Sequence, residues 1–453
     1  MPTYRRSALR PRVLHLGVGG FHRAHLAVYT DELARAGGHW GIRGLGILPA
    51  DRRMAEALGA QDHLYTVIER GAGAPPPRVI GSIVDYVLAV GDPAGVAAQI
   101  ADPGIAVLSL TITEAGYSFA GPNPTFDAIA GGLERRRETG GSPLTIMSCD
   151  NLPGNGAAAR AATLAACEAR SPDLARWAEA TCTFPTSMVD RITPATTDAD
   201  RDWLRATWGV ADAWPVVCEP FRQWVLEDAF AAGRPPWEAV GARFTSRVDD
   251  WERYKLRMLN GAHSCIAYLS SLAGIVFVDE AVAEPPIRRY LERLLAHEVI
   301  PTLDEIPECP RRDYAASVLD RFANTGVRDR VARLCIDGTA KLRAFVIPTI
   351  ESLVRAGGPV ECAALALAGW ARYLATTPAE QRAADASGAT SAADAIRSLA
   401  DPASFVDANE IFTPPIRGSD RFREAFVRAG ERLEAVGPLA AMAEYGAPVT
   451  LRS

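Results

Sequence analysis

Over its first 150 residues the chain places its hydrophobic residues in short runs of strand length, divided by turn residues and stretches of helical period. A run at 13–16 enters Gly17-Val18-Gly19-Gly20-Phe21-His22-Arg23-Ala24-His25 and then a helical pattern through Leu33. Further strand-like runs lie at 41–48, 64–69, 78–86, 105–113 and 144–148, with a helical pattern at 93–100. Strands alternating with helices predict an α/β layer on a mainly parallel sheet. After about Phe244 the strand-like runs largely stop, and long helical patterns continue to the C-terminus. A chain of 453 residues exceeds one ordinary core, so two domains are expected, 1–244 and 245–453, the second mostly α-helical.

The order strand, glycine turn, helix at 13–33 opens a dinucleotide-binding fold of the Rossmann type. Glycine lets the backbone turn tightly and approach a pyrophosphate, which rests against the positive end of the helix. Gly17, Gly19, Gly20 and Phe21 are the candidate cofactor contacts on this turn. The spacing departs from the usual pattern, because His22 stands where a third small residue is expected. The run at 41–48 ends near Asp51, the candidate carboxylate for the adenosine ribose hydroxyls, later than the usual offset of about 20 residues. Arg52 and Arg53 follow at once, so NAD is favoured while NADP stays possible. The run at 144–148 leads into Cys149-Asp150-Asn151-Leu152-Pro153-Gly154-Asn155-Gly156, a turn-rich loop at the strand edge where open α/β sheets bind ligands.

Of 48 basic residues only Lys255 and Lys341 are lysines. Arginine keeps its proton at any physiological pH, whereas a buried ammonium can release one and act as a base. Lys255 opens Lys255-Leu256-Arg257-Met258-Leu259-Asn260-Gly261-Ala262-His263-Ser264, in an apolar-periodic stretch that reads as a helix. At roughly 100° per residue, Lys255, Asn260 and His263 project from one side of it. A base, an amide donor and an imidazole then share a face.

Bulk properties narrow the remaining classes. Hydrophobic residues make up 48% and charged residues 23%, with no apolar run near the ~20 residues a membrane helix requires. No apolar segment or cleavage site follows the N-terminal arginines, so a cytoplasmic protein is expected. A net charge of −6 offers no basic surface for nucleic acid. Eight scattered cysteines without a Cys-x-x-Cys pair read as reduced, buried thiols, and His22 with His25 lacks a nearby third metal ligand.

Lys255-x-Arg257-x-Leu259-Asn260-x-x-His263-Ser264, the glycine turn at 17–25 and Cys149-Asp150-Asn151 converge with three more strings. These are Thr111-Ile112-Thr113-Glu114, Val189-Asp190-Arg191-Ile192-Thr193-Pro194 and Cys218-Glu219-Pro220-Phe221. Together they resemble, over nearly the whole chain, the mannitol dehydrogenase family of long-chain polyol dehydrogenases and hexuronate reductases. The resemblance implies metal-independent hydride transfer between a nicotinamide and a secondary alcohol or ketone. It makes Lys255 the general base of oxidation and general acid of reduction, with Asn151 and Asn260 as oxyanion hole. His263 would hydrogen-bond the same region and orient the lysine, and Asp190, Arg333 and Lys341 would bind substrate hydroxyls. Glu252 would relay protons between the lysine and water, with an exposed helix-start glutamate as an equal reading. Thr113 and Glu114 join the cofactor contacts, Glu114 being equally an ordinary strand-end carboxylate. The family is often monomeric, so a monomer or small homo-oligomer is expected.

Within the family the choice lies between a polyol/ketose pair and a ketohexuronate such as fructuronate or tagaturonate. The strings at 255–260 and 219–224 look like uronate reductases; Gly17-Val18-Gly19-Gly20 and Val346-Ile347-Pro348-Thr349-Ile350 look more like polyol dehydrogenases, the favoured reading. A Schiff-base lysine lyase is a remote alternative, opposed by the glycine turn. A nicotinamide-binding sensor without turnover is opposed by the intact Lys255, Asn151, Asn260 and His263 set.

Overall fold

The computed structural model describes residues 1–117, 123–385, 388–397, 399–445 and 451. The chain divides into two compact units, Met1–Asp249 and Asp250–Ser453. The first contains strands β1 (Arg10–Leu16), β2 (Trp40–Gly46), β3 (Tyr65–Glu69), β4 (Arg78–Ile80), β5 (Ile83–Leu88) and β6 (Val107–Leu110). These are followed by β7 (Leu144–Ser148), β8 (Cys182–Thr183), β9 (Ser187–Asp190), β10 (Val216–Cys218), β11 (Gln223–Leu226) and β12 (Arg243–Phe244).

Six strands form one parallel sheet in the order β5-β2-β1-β6-β7-β8. The direction of strand progression reverses between β1 and β6, the switch point at which doubly wound sheets bind nucleotides. Both faces of the sheet are covered, so β1 is apolar on both sides, as a parallel strand requires. Val13 points into a cluster with Tyr29, Trp224 and Trp237, whereas Leu14 and Leu16 point into another with Ile100, Phe126 and Leu133.

The run at 78–86 is two strands, not one. Gly81 N–H donates to the buried Asp31 carboxylate at 2.9 Å and Ser82 Oγ donates to Ala27 O at 2.7 Å, which draws the backbone out of strand pairing. β4 therefore pairs with β3 in a small sheet completed by β10, while β5 joins the main sheet. β9 and β11 run antiparallel in a third sheet that β12 extends.

Among its described residues the second unit is helical, with two isolated bridges and no named strand. Two of its segments are π-helical, Lys255–Asn260 and Leu294–Val299. The second carries Glu298, a carboxylate 1% exposed that accepts the N–H groups of Cys362 (2.7 Å) and Ala363 (2.9 Å). Those donors belong to the first turn of the helix Glu361–Thr376, so Glu298 caps it against the helix's own dipole. Gly369 of that helix lies against Leu269 of the helix Gly261–Leu272, where an added Cβ would come within 2.6 Å of Leu269 Cδ2. The capped helix thus supports the one that carries His263.

Burial pushes the Glu298 carboxyl up to about 7, against 4.5 ordinarily, although the two N–H groups oppose the rise. The folded chain therefore holds a proton that the unfolded chain releases between these values. The stability this group contributes is full below about pH 4.5 and is lost as pH rises through about 7. Glu298→Gln removes this titration. The stability of the native chain relative to Glu298→Gln should fall by about 3 kcal/mol between these limits, measured by denaturation at stepped pH. A difference independent of pH would contradict a carboxyl raised by burial.

Candidate active site

In the first unit, β1 ends at the glycine turn. Gly17 has φ +90°, and an added Cβ there would lie 2.1 Å from Thr111 O, so backbone angle and close approach both demand glycine. Thr111 Oγ1 donates to Gly17 O at 2.7 Å, tying the turn to the segment that follows β6. Beside it opens a cleft of about 530 Å³ whose lining includes Gly17, Gly19, Asp51, Ile112, Thr113 and Asn123. Of the sequence candidates, Gly17, Gly19, Asp51 and Thr113 line this cleft, and Gly20 and Phe21 do not. Phe21 stacks on His25 with ring centroids 5.0 Å apart and packs against the core. Glu114 begins a short 3-10 turn, Glu114–Tyr117, and its side chain lies outside the described residues.

His22, at the place of the expected third small residue, lies flat on His15, with ring centroids 3.5 Å apart and planes 12° from parallel. A flat ring fills the space that a small residue would leave. His15 is held by Ser109 Oγ at 2.8 Å and Thr111 Oγ1 at 3.0 Å. Burial lowers the pKa of His15 to about 3 and that of His22 well below the ordinary value, so two neutral rings stack without charge repulsion. His25 is fixed by Gln223 O at 2.9 Å.

Asp51 Oδ2 accepts the N–H groups of Ile47 and Leu48 at 2.9 Å, which sets its carboxylate in the cleft wall. Arg53 lies over the Trp214 ring, 4.3 Å from its centroid. At the carboxyl end of β7, the Asp150 carboxylate accepts N–H bonds from Ile112 (3.1 Å) and Thr113 (2.8 Å) and the Tyr117 hydroxyl (2.7 Å). Asn151 follows it directly, half-buried, and Asp190 closes β9 at 3% exposure.

In the second unit, Lys255 and Asn260 do not sit on the α-helix that periodicity predicts. Gly261 N–H bonds to Leu256 O, five residues back, and the turn Lys255–Asn260 is π-helical before α-geometry resumes at Gly261–Leu272. A π turn takes more residues than an α turn, so Lys255 and Asn260, five apart, lie closer around the axis than α-geometry would place them. Lys255 is 7% exposed, and Asn260 Oδ1 is buried without a hydrogen-bond partner among the described residues. His263 stacks on Phe322, centroids 3.9 Å apart.

The remaining basic candidates gather around an acid that the sequence did not single out. Arg333 forks onto Asp329, with Nε to Oδ1 at 2.6 Å and Nη2 to Oδ2. Burial raises the Asp329 carboxyl, but Arg333 and then His263 pull it below the ordinary range. Lys341 Nζ donates to the carbonyls of Arg333 and Leu334, both at 3.3 Å. His263, Asp329, Arg333 and Lys341 are thus linked by charge and hydrogen bonds. The signal for Asp329 was its place one turn before Arg333; for Asp150 it was the Cys149-Asp150-Asn151 string itself. Glu252 is half-buried on the helix Val248–Tyr254.

A doubly wound parallel sheet with a glycine turn and a carboxylate-walled cleft at its switch point defines a dinucleotide-binding protein. Residues 11–239 match the mannitol dehydrogenase Rossmann domain and residues 247–434 the mannitol dehydrogenase C-terminal domain, and the chain belongs to the mannitol dehydrogenase family. It is 38% identical to mannitol dehydrogenase 2 of Saccharomyces cerevisiae, over 98% of this chain and 94% of the relative. With a mannitol 2-dehydrogenase of Cereibacter sphaeroides it shares 42% identity, over 82% of each chain. Its fold matches the Pseudomonas fluorescens mannitol 2-dehydrogenase ternary complex with NAD and D-mannitol at a TM-score of 0.86 and 38% identity, covering 98% of this chain and 96% of that one. A D-sorbitol dehydrogenase in substrate-free form matches at 0.87 and 33% identity, covering 97% and 96%.

Proposed function

We propose that this protein is an NAD-dependent polyol dehydrogenase that interconverts a sugar alcohol and its ketose without a metal, Lys255 serving as general acid and base. The observation that carries the reading is the π turn that brings Lys255 and Asn260 closer around the axis, with His263 in the helix that follows. The missing Cβ at Gly17, the adjoining cleft and the Asp51 carboxylate fit a dinucleotide with free ribose hydroxyls. Arg53, a candidate partner for a 2′-phosphate, is engaged on Trp214, which favours NAD over NADP. Relatives named for mannitol and sorbitol support a polyol substrate.

A nicotinamide dinucleotide held at Gly17, Gly19 and Asp51 would supply hydride chemistry at the carbinol carbon, as acceptor in oxidation and donor in reduction. Lys255, as the free amine, removes the hydroxyl proton and delivers it again in the reverse direction. Asn151 and Asn260 donate amide N–H bonds to the same oxygen as alkoxide-like charge builds, commonly worth about 3 kcal/mol per donor. The ammonium and the amides supply the polarisation for which other dehydrogenases use a metal. His263 orients the lysine, and Asp190, Arg333 and Lys341 hold the remaining hydroxyls. Glu252 carries the proton between Lys255 and water.

A ketohexuronate would need a further cation, ideally a bidentate arginine. The arginines of the two uronate-like strings are engaged elsewhere: Arg222 forks onto Glu32, and Arg257 donates to Thr302 O and Oγ1, both at 3.0 Å. A neutral ketose is therefore the better fit.

NADH and NADPH oxidation with fructose, xylulose, fructuronate and tagaturonate, followed by absorbance of the reduced nicotinamide, should show turnover with a ketose and NADH. Turnover confined to a ketohexuronate would replace the polyol reading with a uronate reductase. Lys255→Ala should lose several orders of magnitude in kcat with NADH affinity kept, and Asn260→Ala about 10²–10³-fold in kcat. Unchanged kcat in Lys255→Ala, or an Asn260→Ala loss confined to KM, would contradict the assigned roles.

A further inference from the structure

Thr113 lines the dinucleotide cleft with φ +64°, a left-handed conformation that is a genuine outlier for a β-branched residue. Strain of this kind persists only where surrounding structure imposes it. The restraint is the Asp150 carboxylate. One oxygen accepts Thr113 N–H at 2.8 Å and the other accepts Ile112 N–H at 3.1 Å, so two successive amides are gripped by one side chain.

Asp150 is itself fixed by a closed ring of bonds. A carboxylate can only accept, so Tyr117 donates to Asp150 Oδ2 at 2.7 Å, and the Ser148 hydroxyl, 2.6 Å away, donates to the Tyr117 oxygen. Ser148 Oγ in turn accepts Asp150 N–H at 3.2 Å. On the other side, Asn155 Nδ2 donates to Asp150 O at 3.1 Å and to Ser187 O at 2.7 Å, while Ser187 N–H donates to Asn155 Oδ1 at 3.0 Å. Ser187 Oγ also donates to Ser148 O at 2.6 Å. Ser187 begins β9, whose last residue is Asp190. Asn151 is therefore one residue beyond a clamp whose far ends are the cofactor wall and the Asp190 strand.

We propose that Asp150 is a positioning residue that holds Thr113 in its left-handed conformation and so joins the cofactor wall and Asn151 into one rigid piece of the active site. The inference rests on the dinucleotide reading of the cleft and goes beyond it, because Asp150 acts through the backbone of its neighbours. It makes cofactor affinity depend on a carboxylate that lies behind the wall.

The test is NADH binding without substrate, followed by fluorescence titration, in the full-length chain. Asp150→Asn keeps the shape but loses one acceptor, and NADH affinity should fall at least tenfold. Adding Thr113→Gly should recover most of that loss, since glycine adopts positive φ without a restraint. Adding Thr113→Ala should recover far less, because alanine loses the β-branch but keeps the Cβ that disfavours positive φ. A merely structural role for Asp150 would not separate the glycine from the alanine rescue. Should Asp150→Asn fail to fold, Tyr117→Phe removes one bond of the clamp and should weaken NADH binding severalfold with kcat also reduced. Native affinity in Asp150→Asn or in Tyr117→Phe, or equal response to glycine and alanine, overturns the clamp. Failure of the native chain to bind NADH would overturn the cofactor reading and the clamp with it.

Discussion

The chemistry proposed for the second unit depends on one departure from α-geometry, the π turn Lys255–Asn260. In a regular helix these two residues lie roughly 140° apart around the axis, at opposite edges of the side that periodicity assigns them. With the hydrogen bond reset to five residues they lie closer around the axis, which suits a proton-transfer group and an amide donor that are to address one oxygen. π turns are rare and recur at functional sites, which fits a geometry retained for what it aligns. Buried packing on both sides holds it, since Leu256, Met258 and Leu259 are all in the core. A second π turn in the same unit, Leu294–Val299, brings Glu298 to the start of the helix that supports His263.

In the first unit the corresponding constraint is the crossing of the glycine turn and the segment after β6. Gly17 admits Thr111 O at a distance no side chain tolerates, Thr111 bonds back to Gly17, and Asp150 grips the next two amides. The turn, the cleft wall and the start of the Asn151 loop are thereby one hydrogen-bonded assembly. The neutral His15–His22 stack packs the turn from behind.

Periodicity and turn chemistry made the parallel sheet, the glycine turn and the helical second half legible, because each is a local pattern that the sequence repeats or interrupts visibly. The division of 78–86 into two strands was not, since the buried Asp31 carboxylate that captures Gly81 lies 50 residues earlier. The π turn was hidden for a different reason: its residues have ordinary helical periodicity, and only the hydrogen-bond register reveals the change. The rarity of lysine singled out Lys255 and Lys341, and Lys341 Nζ donates to the backbone carbonyl of Arg333. Asp150 stood in the Cys149-Asp150-Asn151 string without a role, and Asp329 one turn before Arg333, because the groups a carboxylate orients are set by the fold and not by its neighbours in sequence. Motif position marked Gly17, Gly19, Gly20 and Phe21 alike, whereas the packing that sets Phe21 against His25 comes from the tertiary fold.

The most direct test of the central claim is a crystal structure of this chain with NADH and a bound polyol. The account predicts that Lys255 Nζ and Asn260 Nδ2 both lie within hydrogen-bond reach of the same carbinol oxygen, on an intact π turn. Contact of the two groups with different substrate oxygens, or a regular α-helix across Lys255–Asn260, would contradict it.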